Sequence, residues 1–132
     1  MSLPEPIRRE YPFKLNRFTL NSGFQIQYID YGDREKLPTV FLHGNPTWSF
    51  FYRNAILAWK NYGRCIAPDH LGCGLSDKPD DSQFSYQLKN HAENILELVD
   101  SLKIDKLNLV VHDWGGAIGM TAFSSTPDRI KK

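Results

Sequence analysis

The sequence predicts an α/β architecture, and three observations carry that prediction. Short apolar runs at residues 38–42, 64–67 and 106–111 have the length and content of buried parallel strands. They alternate with helical periodicity at residues 48–59 and 86–102, and a further helix opens at Gly115. Two of the runs also end in loops of unusual chemistry, one at Asn45 and one at Asp113. A strand–helix–strand succession of this kind folds into a mostly parallel sheet with flanking helices and right-handed crossovers. Ligands bind at the carboxyl ends of its strands, where strand order reverses. If the third and fifth strands are neighbours, the two unusual loops converge.

Taken in order, residues 1–15 are expected to be an extended arm over the surface. Residues 17–20 and 24–31 read as two strands joined by a turn at Asn21-Ser22-Gly23. In the second, Phe24, Ile26, Tyr28 and Ile29 partly alternate with Gln25, Gln27 and Asp30, the pattern of a half-buried hairpin strand. A polar loop leads to the third strand, Pro38–Leu42. In the following helix Trp48, Phe51, Tyr52, Ala55, Ile56 and Trp59 recur at helical spacing, with Thr47 a candidate cap. Core packing against the sheet is the expected role of all these aromatics except Trp48. Residues 64–67 form the fourth strand, and residues 68–79 a glycine-rich loop. The next helix puts Leu88, Ala92, Ile95, Val99 and Leu102 on one face, with His91 expected in solvent. The fifth strand then delivers Asp113.

The 132 residues suffice for one ordinary domain, and 41% apolar with 23% charged residues is a globular composition. A net charge of +1 without a long basic run gives no footprint for nucleic acid or an anionic membrane. No stretch approaches the ~18 apolar residues of a membrane span. Residues 1–13 hold three prolines and four charges and lack the apolar core of a signal peptide. A cytoplasmic location follows, with Cys65 and Cys73 as free thiols in a reducing compartment.

Around Asp113 the chain passes abruptly from strand to helix, with Gly115 and Gly116 letting the helix approach the sheet. A nucleophile elbow has this form, but here the apex is Asp rather than Ser and Val111 stands where a glycine is usual. A carboxylate with an ordinary pKa near 3.9 is ionised at neutral pH and attacks without a base. Displacing a leaving group from saturated carbon, it forms an ester that water can cleave; serine would form an inert ether. Two plainer readings compete: an Asp before a helix can be only an N-cap, and a glycine-rich turn can hold a dinucleotide. The latter is weak, because the spacing is not G-x-G-x-x-G and a carboxylate would face the pyrophosphate.

Three motifs together, His43-Gly44-Asn45-Pro46-Thr47-Trp48-Ser49, Pro68-Asp69-x-x-Gly72-x-Gly74-x-Ser76-x-Lys78-Pro79 and Val111-His112-Asp113-Trp114-Gly115-Gly116, resemble the haloalkane dehalogenases of the α/β-hydrolase superfamily. The middle motif is common to many α/β-hydrolases; the outer two are more specific. Epoxide hydrolases also place Asp at the elbow but usually carry an aromatic residue at the Asn45 position. β-Lactone decarboxylases are similar to one dehalogenase subgroup over these same motifs.

The resemblance implies that Asp113 is the nucleophile and that no cofactor is needed. Asn45 and Trp114 would bind the departing halide through amide and indole N–H groups. The backbone N–H groups of the same two residues would form the oxyanion hole during hydrolysis of the ester. His43, His70 and His112 are expected to make structural hydrogen bonds, and Asp69 to fix its own loop. The substrate would be a small apolar molecule, a halogenated alkane or similar. The family's catalytic histidine, its acidic partner and its helical cap all follow the elbow helix, whereas this sequence stops at Lys132. The expectation is therefore the N-terminal part of an α/β-hydrolase, incomplete for turnover, whose fifth strand exposes an edge at Leu109 and Val111. The alternative from another class is a non-catalytic fragment that self-associates through that edge.

Overall fold

In the computed structural model, which describes residues 2–132, five strands form one sheet. They are β1 (Asn16–Thr19), β2 (Gln25–Gly32), β3 (Pro38–Leu42), β4 (Arg64–Pro68) and β5 (Asn108–Val111), in the order β1-β2-β4-β3-β5. The sheet is mixed: β1–β2 and β2–β4 are antiparallel, while β4–β3 and β3–β5 are parallel. The helices are α1 (Glu5–Glu10), α2 (Arg53–Trp59), α3 (Leu88–Ser101) and α4 (Trp114–Ala122).

Side-chain alternation along the strands divides the core in two. Val40, Leu42 and Ile66 enter one cluster with Ile95, Leu98, Val99 and Ile118 of α3 and α4. Phe41, Cys65 and Ala67 point the other way, toward Tyr52 and Ile56. The chain leaves β3 to form β4 on one side and returns to form β5 on the other. The carboxyl ends of β3 and β5 are therefore adjacent, and the loops bearing Asn45 and Asp113 meet, as expected if those two strands are neighbours.

Several expectations need correction. Residues 2–15, the described part of the expected surface arm, are not merely an arm: they contain α1, and Tyr11 and Phe13 are buried beside Ile29 and Tyr31. Two aromatics at a spacing of two enter the same face, and their apolar area is best removed from water there. The helix expected over 48–59 begins as a 3-10 turn, Ser49–Tyr52, and becomes α-helical only at Arg53. Thr47 does not cap it, since its hydroxyl accepts from the adjacent Trp48 N–H, 2.5 Å away. Of its apolar face, Tyr52 and Ile56 are buried, but Phe51 and Trp59 are 46% and 42% exposed because the sheet ends beneath them at β5. The next helix starts at Leu88 because Tyr86 has a φ of +51°. Nor is the edge of β5 wholly bare. Residues 129–132 run beside it, with Leu107 N–H donating to Arg129 O, Lys131 N–H to Leu107 O and Leu109 N–H to Lys132 O. Val111 stays outside this pairing.

Candidate functional site

Asp113 sits at the apex between β5 and α4 with φ +53° and ψ −128°, a backbone region that L-residues rarely enter. Although it occupies the N-cap position, its side chain makes no capping hydrogen bond. Its Oδ2 instead accepts from the Asn45 backbone N–H at 3.0 Å. The N–H groups of Trp114 and Asn45 hold its carboxyl below the usual range, so the anion is the resting form. The geometry therefore departs from that of an N-cap Asp and presents a carboxylate to the convergence of two loops.

Glycines make that convergence possible. A Cβ on Gly44 would lie 2.5 Å from the Asp113 Cβ, so any side chain there would displace the carboxylate. A Cβ on Gly115 would overlap the Leu42 carbonyl oxygen and lie 2.6 Å from that of His43. Gly115 is thus the residue that lets α4 press against the end of β3.

Asn45 and Trp114 line one cavity of about 350 Å³, together with Gly44, His70, Gly72, Cys73, Tyr86 and His91. The Trp114 side chain is 44% exposed at the rim. The two predicted donors are thus brought to one hollow. His112 lies on the opposite flank, its ring stacked on Phe51 at 4.6 Å.

Beneath the site are groups the sequence reading placed less fully. Asp69 is fully buried and fixes more than its own loop. Its Oδ1 accepts from Ser49 N–H at 2.8 Å and its Oδ2 from Leu75 N–H at 2.9 Å, which ties the loop after β3 to the glycine-rich loop after β4. Burial pushes its carboxyl up, against the pull of those N–H donors. Ser49 Oγ in turn meets Tyr11 Oη at 2.6 Å. His43, wholly buried, and His70 exchange hydrogen bonds with each other's backbone. His91 is not solvated: it is only 6% exposed, packed against Phe84 and His70. It shares the apolar face through positions 91, 95 and 98, a spacing its polar neighbours Lys89 and Glu93 conceal. Burial lowers all three imidazoles, His70 the furthest. Both cysteines are free thiols. Among the described residues, no three His, Cys, Asp or Glu side chains are grouped to hold a metal, and no helix is long and apolar enough to cross a membrane.

Comparison with known proteins places this geometry. A family model described as the alpha/beta hydrolase fold matches residues 38–132. The chain is 51% identical over 122 residues to a cis-3-alkyl-4-alkyloxetan-2-one decarboxylase of Shewanella oneidensis, covering 92% of this chain and 37% of that one. It is 43% identical over 128 residues to haloalkane dehalogenase 2 of Mycobacterium tuberculosis, covering 97% and 42%. Among solved structures, the tetrameric haloalkane dehalogenase DpaA of Paraglaciecola agarilytica superposes with a TM-score of 0.85 at 34% identity, over 99% of this chain and 46% of that one. The chain thus spans less than half the length of these relatives.

Proposed function

The chain belongs to the α/β-hydrolase family, and within it we propose that Asp113 is the nucleophile of a haloalkane dehalogenase-type reaction, of which these residues furnish the N-terminal part. The observation that carries this reading is the strained Asp113 backbone, with a carboxylate that reaches across to the Asn45 N–H and makes no capping hydrogen bond. Strain of this kind persists only where surrounding structure imposes it, and it collects at reactive sites.

The Asn45 N–H already engages Oδ2, which leaves the other carboxylate oxygen free to attack. Attack on a saturated carbon forms the C–O bond of an alkyl ester as the carbon–halogen bond breaks and halide leaves with the electron pair. The side-chain N–H groups of Asn45 and Trp114 receive that anion. Water then adds to the ester carbonyl, whose oxygen is Oδ2, and the backbone N–H of Asn45 is in place to meet the developing charge. The base for that step is not supplied by His43, both of whose ring nitrogens are engaged by backbone groups. A histidine in a longer form of the chain, with its acidic partner and a cap, completes the reaction; the 132 residues alone carry the first displacement only weakly.

A reactive bromoalkane tests the nucleophile. Peptide mass spectrometry should find the alkyl group on Asp113, weakly in this chain and fully in a longer form whose downstream histidine is disabled, and Asp113→Asn should abolish it. Label spread over Asp77, Asp80 and Glu97 with Asp113 untouched would sink the proposal.

A second reading, β-lactone decarboxylase, is favoured by the higher identity to the Shewanella oneidensis relative. Carbon dioxide release from a dialkyl oxetanone, without bromide release from bromoalkanes, would select it. The epoxide hydrolase reading is disfavoured by Asn45 where that group usually has an aromatic residue. Separately, Val110, Val111, Trp59 and Met120 are exposed, and we propose that the chain alone self-associates or stays partly molten. A cooperative thermal transition in a species sedimenting as a monomer would overturn that.

A further inference from the structure

We propose that His43 and His70 form a neutral positioning pair that aims the Asn45 N–H at Asp113, and that acid releases this aim by protonating His43. The carbonyl of Gly44 and the N–H of Asn45 belong to one planar peptide unit, so fixing the oxygen fixes the direction of the N–H. His43 Nδ1 lies 2.8 Å from Gly44 O. A carbonyl oxygen only accepts, so Nδ1 carries the proton. His43 Nε2 lies 3.0 Å from the backbone nitrogen of His70, whose N–H donates to it, so Nε2 is bare. The two contacts together specify one tautomer of a neutral ring. In return, His70 Nε2–H donates to His43 O at 3.1 Å, holding the residue on the other side of the pivot. The peptide gripped in this way points its N–H at Asp113 Oδ2, 3.0 Å away.

A proton added at Nε2 would face the His70 N–H, donor against donor. The ring would have to leave its place and release the Gly44 carbonyl with it. The titratable groups around the ring are few. Asp69 and His70 approach from the loop after β4, and Asp69 favours a proton on His43. His91 approaches from α3, its ring 5.7 Å from that of His70, and burial lowers both imidazoles. Asp113 stands beyond Gly44. Burial is the largest influence and keeps the ring neutral. Oxyanion binding at the Asn45 N–H should therefore fail once His43 takes up a proton.

The inference rests on the reading of Asn45 as an anion donor, but its test does not depend on alkylation of Asp113. Nitrogen-15 spectra of the imidazoles in a longer, cooperatively folded form of the chain at neutral pH should show His43 protonated at Nδ1 and bare at Nε2. An Nε2–H tautomer or an imidazolium would overturn the pair. On acidification, the Asn45 amide proton should move at the midpoint of the His43 ring. An Asn45 amide indifferent to His43 would also overturn it. His70→Gln keeps an N–H donor without a titrating ring and should retain hydrogen-exchange protection at Asn45. His70→Leu should lower that protection by about tenfold or more, with the Leu98 amide unchanged. Equal losses at Leu98 would reduce His70 to a stability role and count against the proposal.

Discussion

The two faces of the sheet meet their helices differently. Toward α3 and α4, Val40, Leu42, Ile66, Leu98 and Ile118 are sealed from water. Toward α2, the cover is complete only over β2 and β4. Where β5 emerges, Val110, Trp59 and Ala55 border an open groove of about 360 Å³ with Thr39 and Asn108 on its floor. The hydroxyl of Thr39 and the side-chain oxygen of Asn108, buried atoms of register partners on β3 and β5, have no hydrogen-bond partner among the described residues. Asp113 hangs at the boundary between these regions. The closed face supplies the rigidity that holds its backbone strained, while Asp113 itself is exposed at the carboxyl ends of the strands.

The comparison breaks most directly by truncation on each side. Leu98→Ala removes a fully buried side chain from the closed face and should cost about 2–5 kcal/mol. Val110→Ala, at a side chain 37% exposed on the open groove, should cost clearly less, about 1 kcal/mol. Denaturant midpoints of the two variants measure the contrast, and equal losses would mean that the open face is covered in solution.

At the boundary itself, Asn45→Ala removes the side-chain donor and keeps the backbone N–H. In a complete enzyme it should lower turnover of a halogenated substrate about 10²–10³-fold, the scale for losing an oxyanion-type donor. If Asn45 only shapes the turn before Pro46, the same change should lower stability and leave halide affinity intact.

The closed face should also respond to acid more than the open one. Burial holds His43, His70 and His91 neutral below the ordinary value of 6.5, so the unfolded chain binds more protons as pH falls past that value. Stability is full above about 6.5 and drops toward the lowered folded values, by about 1.4 kcal/mol per pH unit for each imidazole. Asp69 works against this: its raised carboxyl takes a proton in the folded state before the unfolded one does. The net slope should be below that of three protons, and His91→Phe should reduce it further. A flat stability profile between about pH 7 and 5 would show that the imidazoles are not held neutral.

Much of this arrangement was readable before any fold was seen. The run Pro38–Leu42 kept its predicted limits because an apolar strand buried on both faces needs no partner pattern to be recognised. The meeting of Asn45 and Asp113 followed from two strand ends and one assumption about adjacency, which the β3–β5 pairing meets. Periodicity names the residues that share a face but not what lies opposite. Phe51 and Trp59 were therefore assigned to a core that stops short of them. The His43–His70 exchange joins residues 27 positions apart through backbone atoms, and no local pattern encodes it. The pairing of residues 129–132 with β5 was missed for the same reason. His91 was the avoidable miss, since positions 91, 95 and 98 already lay on one apolar stripe.

The smallest effect comes from adjacent glycines on opposite sides of the boundary. At Gly115 an added methyl group has nowhere to go, because the Leu42 carbonyl occupies its place. At Gly116 the nearest atom to such a methyl is Val111 Cγ2 at 3.7 Å, an ordinary contact. Gly116 lies in the first turns of α4 without a positive φ, so alanine there loses nothing and reduces the entropy of the unfolded chain. Gly116→Ala should stabilise the fold by about 0.5–1 kcal/mol. It should leave labelling of Asp113 by a bromoalkane unchanged, since the methyl extends along Val111 and touches neither Asn45 nor the carboxylate. Thermal unfolding reads the first part and peptide mass spectrometry the second. A loss of stability would mean that α4 sits closer to β5 than the 3.7 Å contact allows, and that the boundary is as tightly closed as the face behind it.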